Sequence, residues 1–203
     1  MCTLINMKVA RAYTMRARAE STARTRERIL DAAVALIKER LSMEIVLADV
    51  AERAGVSVQT VLRHFGSRDA VFEQALAHGE AKVRVERETP AGDAATAVIT
   101  IVRFYDRWGD WTLRMLSQEH SDEGSRRAVA MGRPLHRKWV EDVFAPQLAG
   151  CSDHDELIDL LVIATDVYTW KILRRDAGMS RKRTCERMLR LVQSVLSAPA
   201  EGS

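Results

Sequence analysis

The sequence predicts an all-α chain, with a small N-terminal helical domain followed by a larger helical one, and three observations carry that prediction. Apolar residues recur at spacings of three and four along most of the chain, and no strand-like alternation appears after residue 93. The strongest cluster of helix breakers, Thr89-Pro90-Ala91-Gly92-Asp93, lies between such stretches. Two short apolar ladders, Leu47-Val50-Ala51-Ala54 and Val58-Val61-Leu62-Phe65, flank a lone glycine, Gly55, so two short helices meet at a sharp turn.

Composition bounds the rest. A chain of 203 residues makes one or two domains, and 47% hydrophobic with 29% charged residues argues for a globular fold over disorder. No apolar run reaches the roughly 18 residues a membrane helix needs, and the first residues make no signal peptide, so a cytoplasmic protein without membrane partners is expected. Cys2, Cys151 and Cys185 form no CxxC pair, which argues against a zinc site or a disulfide framework. His64, His78, His120, His136 and His154 lack metal-ligand spacing. No GxSxG, P-loop or dinucleotide-binding glycine pattern occurs. Neither metal nor cofactor nor enzymatic activity is therefore expected.

Taken in order, residues 1-20 read as a flexible basic arm. Met15 opens MRARAESTARTRERIL, already a complete arm and helix start, and is an expected translation start beside Met1 and Met7. Net charge is only +3, but it is unevenly placed. From Lys8 to Arg28, seven basic residues (Lys8, Arg11, Arg16, Arg18, Arg24, Arg26, Arg28) face two acidic ones (Glu20, Glu27), whereas from Thr89 onward 16 basic residues balance 16 acidic ones. A local cationic arm binds phosphate by releasing counterions.

A domain at 21-70 follows. Its first helix is expected from about Thr25 to Arg40, with Ile29, Leu30, Ala33, Leu36 and Ile37 as the apolar stripe. Arg24 and Arg28 lie near its start, where they oppose the helix dipole and favour a nearby anion. Leu41 to Ile45 is a connection. Ser57 stands at the N-cap of the second ladder's helix. On a wheel of about 100° per residue, Gln59, Thr60, Arg63 and His64 gather opposite the apolar side. Gln pairs with adenine, Arg with guanine, and the Thr methyl touches thymine, so this helix has the chemistry to read a major groove. Ser67 caps a further helix, with Asp69 in its first turn, running to about Glu88 and turning Val71, Phe72, Ala75 and Leu76 inward.

The order of one helix, then VLADVAERAGVSVQTVLRHFGSRDAVF, then a long helical remainder resembles the TetR family of bacterial transcriptional repressors. The resemblance covers roughly residues 25–76. It is carried by the Ala54-Gly55-Val56-Ser57 turn, Thr60, the His64-Phe65 pair and Ser67-Arg68-Asp69-Ala70. The remaining two-thirds is similar only in helical content and length. Leu62 replaces a common Tyr that touches phosphate, Arg68 replaces a common Lys, and Val58-Gln59 replaces a frequent Lys-Gly pair. Arg24, Arg28, Val46, Ser57, Val58, Gln59, Thr60, Arg63, His64 and Arg68 are the DNA-binding candidates, with Gln59 a candidate for operator-specific readout.

The remainder, 71-198, is expected to be the larger domain. One helix runs from Asp93 to about His120, interrupted at Gly109, where a kink is expected. After a polar break at Ser121 to Ser125 come a short helix to about Met131 and another from Pro134 to Leu148. Ser152 and Asp155 resemble a capping box opening a helix to about Arg175, whose face is Leu157, Leu160, Leu161, Ala164, Val167 and Tyr168. Gly178 is a C-cap, and Ser180 caps a last helix ending near Ser197.

The resemblance implies an N-terminal three-helix helix-turn-helix DNA-binding domain and a helical ligand-binding and dimerisation domain. It implies a homodimer joined through the last two helices as a four-helix bundle, double-stranded DNA with a palindromic operator as partner, and release by a small-molecule effector. All four tryptophans lie at or after Trp108. Trp111, Met115, Trp139 and Tyr168, with His120 and His136 as polar anchors, are the ligand-binding candidates. Two other readings remain open: a constitutive DNA binder without a ligand, and an all-helical enzyme or interaction module whose helix-turn-helix is only a packing unit.

Overall fold

The computed structural model describes residues 2–39, 44–151 and 153–197, with side chains from Met15 onward. Among them all regular structure is helical and no strand occurs. The chain divides into two compact units, Met1–Gly79 and Glu80–Ser203.

The first unit holds α1 (Cys2–Glu39), α2 (Leu47–Ala54), α3 (Val58–Phe65) and the opening turns of α4 (Arg68–Glu86). α1 begins far before the expected Thr25, with the segment read as a flexible arm forming its N-terminal turns. No glycine or proline precedes Gly55, and Arg16 pairs with Glu20 one turn away at 3.4 Å, so nothing local interrupts the helix. Residues 15–24 are nevertheless exposed, and burial begins at Ile29, on the stripe read from the sequence. The connection expected from Leu41 to Ile45 lies mostly on residues 40–43, outside the described residues.

α2 starts where the Asp49 carboxylate accepts the Val46 N–H at 2.9 Å. It ends at Gly55, whose φ of 64° is the left-handed conformation that a side chain disfavours. Ser57 Oγ accepts the Thr60 N–H at 3.2 Å and starts α3. Only half of the second ladder is buried. Val61 and Phe65 point into the core, while Val58 and Leu62 are 38% and 41% exposed. An eight-residue helix packed on one side buries a narrow stripe, narrower than the sequence spacing suggested. Arg26 of α1 lies 4.6 Å from the Phe65 ring centroid and hydrogen-bonds Gln74, tying α1 to α3 and α4. Val71, Phe72 and Ala75 complete this core, which carries the division of the chain beyond the expected 70/71 boundary to Gly79.

The second unit contains the end of α4, then α5 (Ala94–Gln118), α6 (Glu123–Val143), α7 (Ala145–Leu148), α8 (His154–Ala164), α9 (Val167–Lys171) and α10 (Arg181–Ser197). Its core gathers Val98, Ile101, Val102 and Tyr105 of α5 with Val140, Phe144, Leu161, Trp170, Met188 and Val192. Aspartates start its helices. Asp93, Asp122, Asp153 and Asp166 accept the N–H groups of Thr96, Ser125, Glu156 and Tyr168 at 2.9, 2.7, 3.0 and 2.8 Å. Such caps typically contribute about 1 kcal/mol each.

Three sequence expectations differ here. α5 runs through Gly109 without a break. The two helices expected around Pro134 are a single helix, α6, with Pro134 inside it. Pro134 is exposed, and Val129 before it and His136, Val140 and Val143 after it are buried on one face, so packing outweighs the lost hydrogen bond. The helix expected to reach Arg175 stops at Ala164, restarts under the Asp166 cap and widens into a π-helical turn, Ile172–Asp176. Ser152 of the expected capping box lies outside the described residues, and Asp153 caps the helix.

Candidate functional site

α3 carries the DNA-reading candidates of the first unit. Gln59 and Arg63 are exposed, and Thr60 and His64 are half-buried beside them. The helix is fixed from beneath by Val61 and Phe65 and at its start by Ser57, whose Oγ also lies 2.9 Å from the Thr60 hydroxyl. Thr60 thus has its hydroxyl committed locally and its methyl group free of that bond. Val58 and Leu62 add exposed apolar surface to the same helix, and Val46 is 53% exposed at the start of α2. Arg24 and Arg28 are exposed on α1. Arg68 differs from these. Its Nε donates to the Ile45 carbonyl at 3.0 Å, and its guanidinium lies 4.4 Å from the Phe72 ring centroid, so it braces the fold.

The ligand candidates of the second unit do not form one group. Tyr168 is 51% exposed, on the surface that also bears Ile163 and Ile172. His120 has its side chain 93% exposed beside Glu119, so it is no anchor of an enclosed pocket. Both follow from the helix ends nearby, which the sequence spacing placed elsewhere: α5 stops at Gln118, and α9 begins at Val167. Met115 is buried with its sulfur 3.4 Å from the Ser125 hydroxyl, whose proton goes to the Asp122 carboxylate at 2.8 Å, and Trp111 is half-buried.

His136 and Trp139 do come together, stacked at 5.7 Å with an interplanar angle of 16°. They meet a residue that sequence reasoning missed, Arg87. Its guanidinium Nη2 lies 2.5 Å from His136 Nδ1, and Trp139 Nε1 donates to the Arg87 carbonyl at 2.8 Å. The guanidinium also faces the Phe104 and Trp139 rings at 5.0 and 4.8 Å. Because arginine only donates, His136 Nδ1 accepts, which assigns the neutral ring with its proton on Nε2, 3.2 Å from Thr165 Oγ1. The Thr165 hydroxyl passes its own proton to the Leu161 carbonyl at 2.7 Å. Burial, reinforced by the Arg87 charge, pushes His136 down to about 3. Burial likewise lowers Arg87 and raises Asp166, the latter against its capping hydrogen bonds and the Arg87 charge. No sequence pattern marks Arg87, because one arginine at the end of an exposed helix looks like ordinary solvated surface.

A second polar centre is structural. Burial alone would raise Asp106, but hydrogen bonds from Arg181 at 2.6 Å, Trp170 Nε1 at 3.2 Å and Arg174 at 3.0 Å together hold it below its ordinary range. Among the described residues no cluster of His, Cys, Asp and Glu could hold a metal ion, and no helix is long and apolar enough to cross a membrane.

Residues 29–75 match the model of the bacterial regulatory proteins of the tetR family. This is the segment in which α2, Gly55 and α3 form the helix-turn-helix. No curated protein sequence matches the chain. Two solved structures share the fold. One, described as a TetR-family transcriptional regulator from Rhodococcus sp., is 19% identical, with 86% of this chain and 100% of that one covered and a TM-score of 0.62. The other, described as a transcriptional regulator from Pseudomonas aeruginosa PAO1, is 16% identical, with 85% and 90% covered and a TM-score of 0.62. With a helix-turn-helix domain that matches the tetR family over residues 29–75 and a recognition helix that exposes its polar side, the chain is a DNA-binding transcriptional regulator with a tetR-type DNA-binding domain.

Proposed function

We propose that the protein is a cytoplasmic repressor that binds a palindromic operator as a homodimer and leaves it when a small-molecule effector occupies the second unit. The observation that carries this reading is the division of α3: Val61 and Phe65 anchor it, and Val58, Gln59, Leu62 and Arg63 are exposed. In this reading Gln59 and Arg63 bond base edges, Val58, Leu62 and the Thr60 methyl meet thymine methyls, and His64 takes a base or phosphate. Arg24 and Arg28 neutralise phosphates. Val46 and Ser57 lie against the DNA backbone, and Arg68 acts mainly by holding the fold. For the homodimer, Leu160, Ile163, Tyr168, Ile172 and Leu191 support an interface on α8, α9, the π-helical turn that follows and α10, since all five are at least 40% exposed. Two α3 helices related by a two-fold axis would then read half-sites about 34–36 Å apart. In the effector role, His136 and Trp139 are the strongest of the six candidates, because they are the ones gathered around a buried charge.

The test is selection of the purified protein against random duplex DNA, followed by binding of the selected sequence across a salt series. An enriched palindrome with steep salt dependence is expected. No enrichment, with only weak salt-sensitive binding, would overturn the reading.

A further inference from the structure

We propose that Arg87 is the anion-recognition centre of the small-molecule site in the second unit, and that its ligand is an organic carboxylate; this rests on the effector reading above. Arg87 is 5% exposed, and its Nε is buried without a hydrogen-bond partner. The contacts it does have carry no negative charge. Nη2 meets a neutral His136, and the faces of the guanidinium are taken by Phe104 and Trp139. His136 cannot turn to supply an anion, because Thr165 holds its other nitrogen. The acidic group that acts on Arg87 through space, Asp166, has its carboxylate committed to the start of α9. A buried guanidinium with an idle N–H and no carboxylate bonded to it is a costly arrangement for stability alone. A carboxylate is the ligand that corrects it, because two parallel N–H···O bonds match the guanidinium edge.

The surroundings define the rest of the ligand. With Phe104 and Trp139 over the guanidinium, an apolar or aromatic body suits the site. Phe104 also walls a cleft of about 330 Å3 lined by Glu86, Glu88, Thr100, Arg103, Phe104 and Arg107. Phe104 thus borders both this cleft and the Arg87 guanidinium, and a carboxylate reaching Arg87 from the cleft would have to pass that ring.

The experiment titrates the full-length protein with acetate, octanoate and benzoate, each beside its neutral amide, by calorimetry. At least one acid should bind about tenfold or more tighter than its amide, the scale of one charge-assisted hydrogen bond. Arg87→Met should erase that difference, and Arg87→Lys should keep part of it. In wild-type protein the Arg Nε–H resonance that Arg87→Lys removes should shift with the acid and not with the amide, a readout that does not require Arg87→Met to fold. Acids and amides that bind alike, or an acid that binds both variants as it binds wild type, would overturn the proposal. Operator affinity is measured in the same samples. If the acid binds through Arg87 and operator affinity is unchanged, the anion site stands and the effector reading fails.

Discussion

Gly109 and Trp170 occupy adjoining space so closely that a Cβ on Gly109 would stand 2.6 Å from Cη2 of Trp170. Trp170 is fully buried, lies 5.9 Å from the Tyr105 ring, and donates its Nε1 hydrogen to Asp106. Gly109 is therefore the position in α5 that lets α9 approach, and the Asp106 network holds the indole that fills the gap.

Gly109→Ala sets two effects against each other. Alanine favours the helix by about 1 kcal/mol, while overpacking a filled core costs about 1–3 kcal/mol. The indole is held by Asp106 and cannot easily yield, so packing should win. Urea denaturation followed by tryptophan fluorescence should give a lower midpoint with an unchanged slope. A midpoint equal to or above wild type would mean that the ring has room to move.

His136 should make stability depend on pH. Its folded value is pushed down to about 3, whereas in the unfolded chain it takes a proton below about 6.5. Between those values the unfolded state holds more protons, so stability falls as pH falls. The contribution is complete above about pH 6.5 and is lost at up to about 1.4 kcal/mol per pH unit below it. His136→Gln should flatten the decline between about pH 6.5 and 5, above the range where most carboxylates titrate. Parallel curves for the two proteins would place the pH dependence elsewhere.

The exposed face of α8 and α9 makes a separate prediction. Ile163→Glu puts a charge at a position 61% exposed in the single chain, so it should leave folding nearly intact and convert a dimer to monomer. Val85→Glu, at a position 73% exposed on α4, is the control and should remain dimeric. Sedimentation velocity distinguishes the two. An Ile163→Glu protein that sediments as wild type does would remove this face from the interface.

On DNA, two arginines should behave differently. Arg63→Ala should cost about 1–3 kcal/mol and relax preference at one base position. Arg24→Ala should weaken binding to all sequences alike and reduce the salt slope by about 1. Competition assays on the selected operator and its single-base variants check both. Unchanged preference in Arg63→Ala would mean that α3 is not seated in the groove as proposed.

Local signals determined much of this protein. The turn at Gly55, the Ser57 cap and the polar side of α3 depend on interactions within a few residues, so Gln59, Arg63 and the helix-turn-helix could be read directly. The stripe from Ile29 to Ile37 was legible for the same reason, since helical spacing alone places those residues on one face. Asp93 likewise announced the start of α5 through its own side chain.

Tertiary packing decided the rest. Pro134 sits inside α6 because residues on both sides of it, Val129 and His136, are buried on the same face, a fact about neighbours that local preference misjudges. Gly109 looked like a kink, and its role is space for an indole 61 positions later in the chain. Val58 and Leu62 share the spacing of Val61 and Phe65, yet only contact with other helices determines which members of a ladder are covered. Arg87 lies 49 positions from His136 in sequence, and its burial exists only once Phe104 and Trp139 close over it. Helical periodicity tells which residues share a face of one helix. Which faces meet is set by long-range burial and charge, and the buried site around Arg87 arises there.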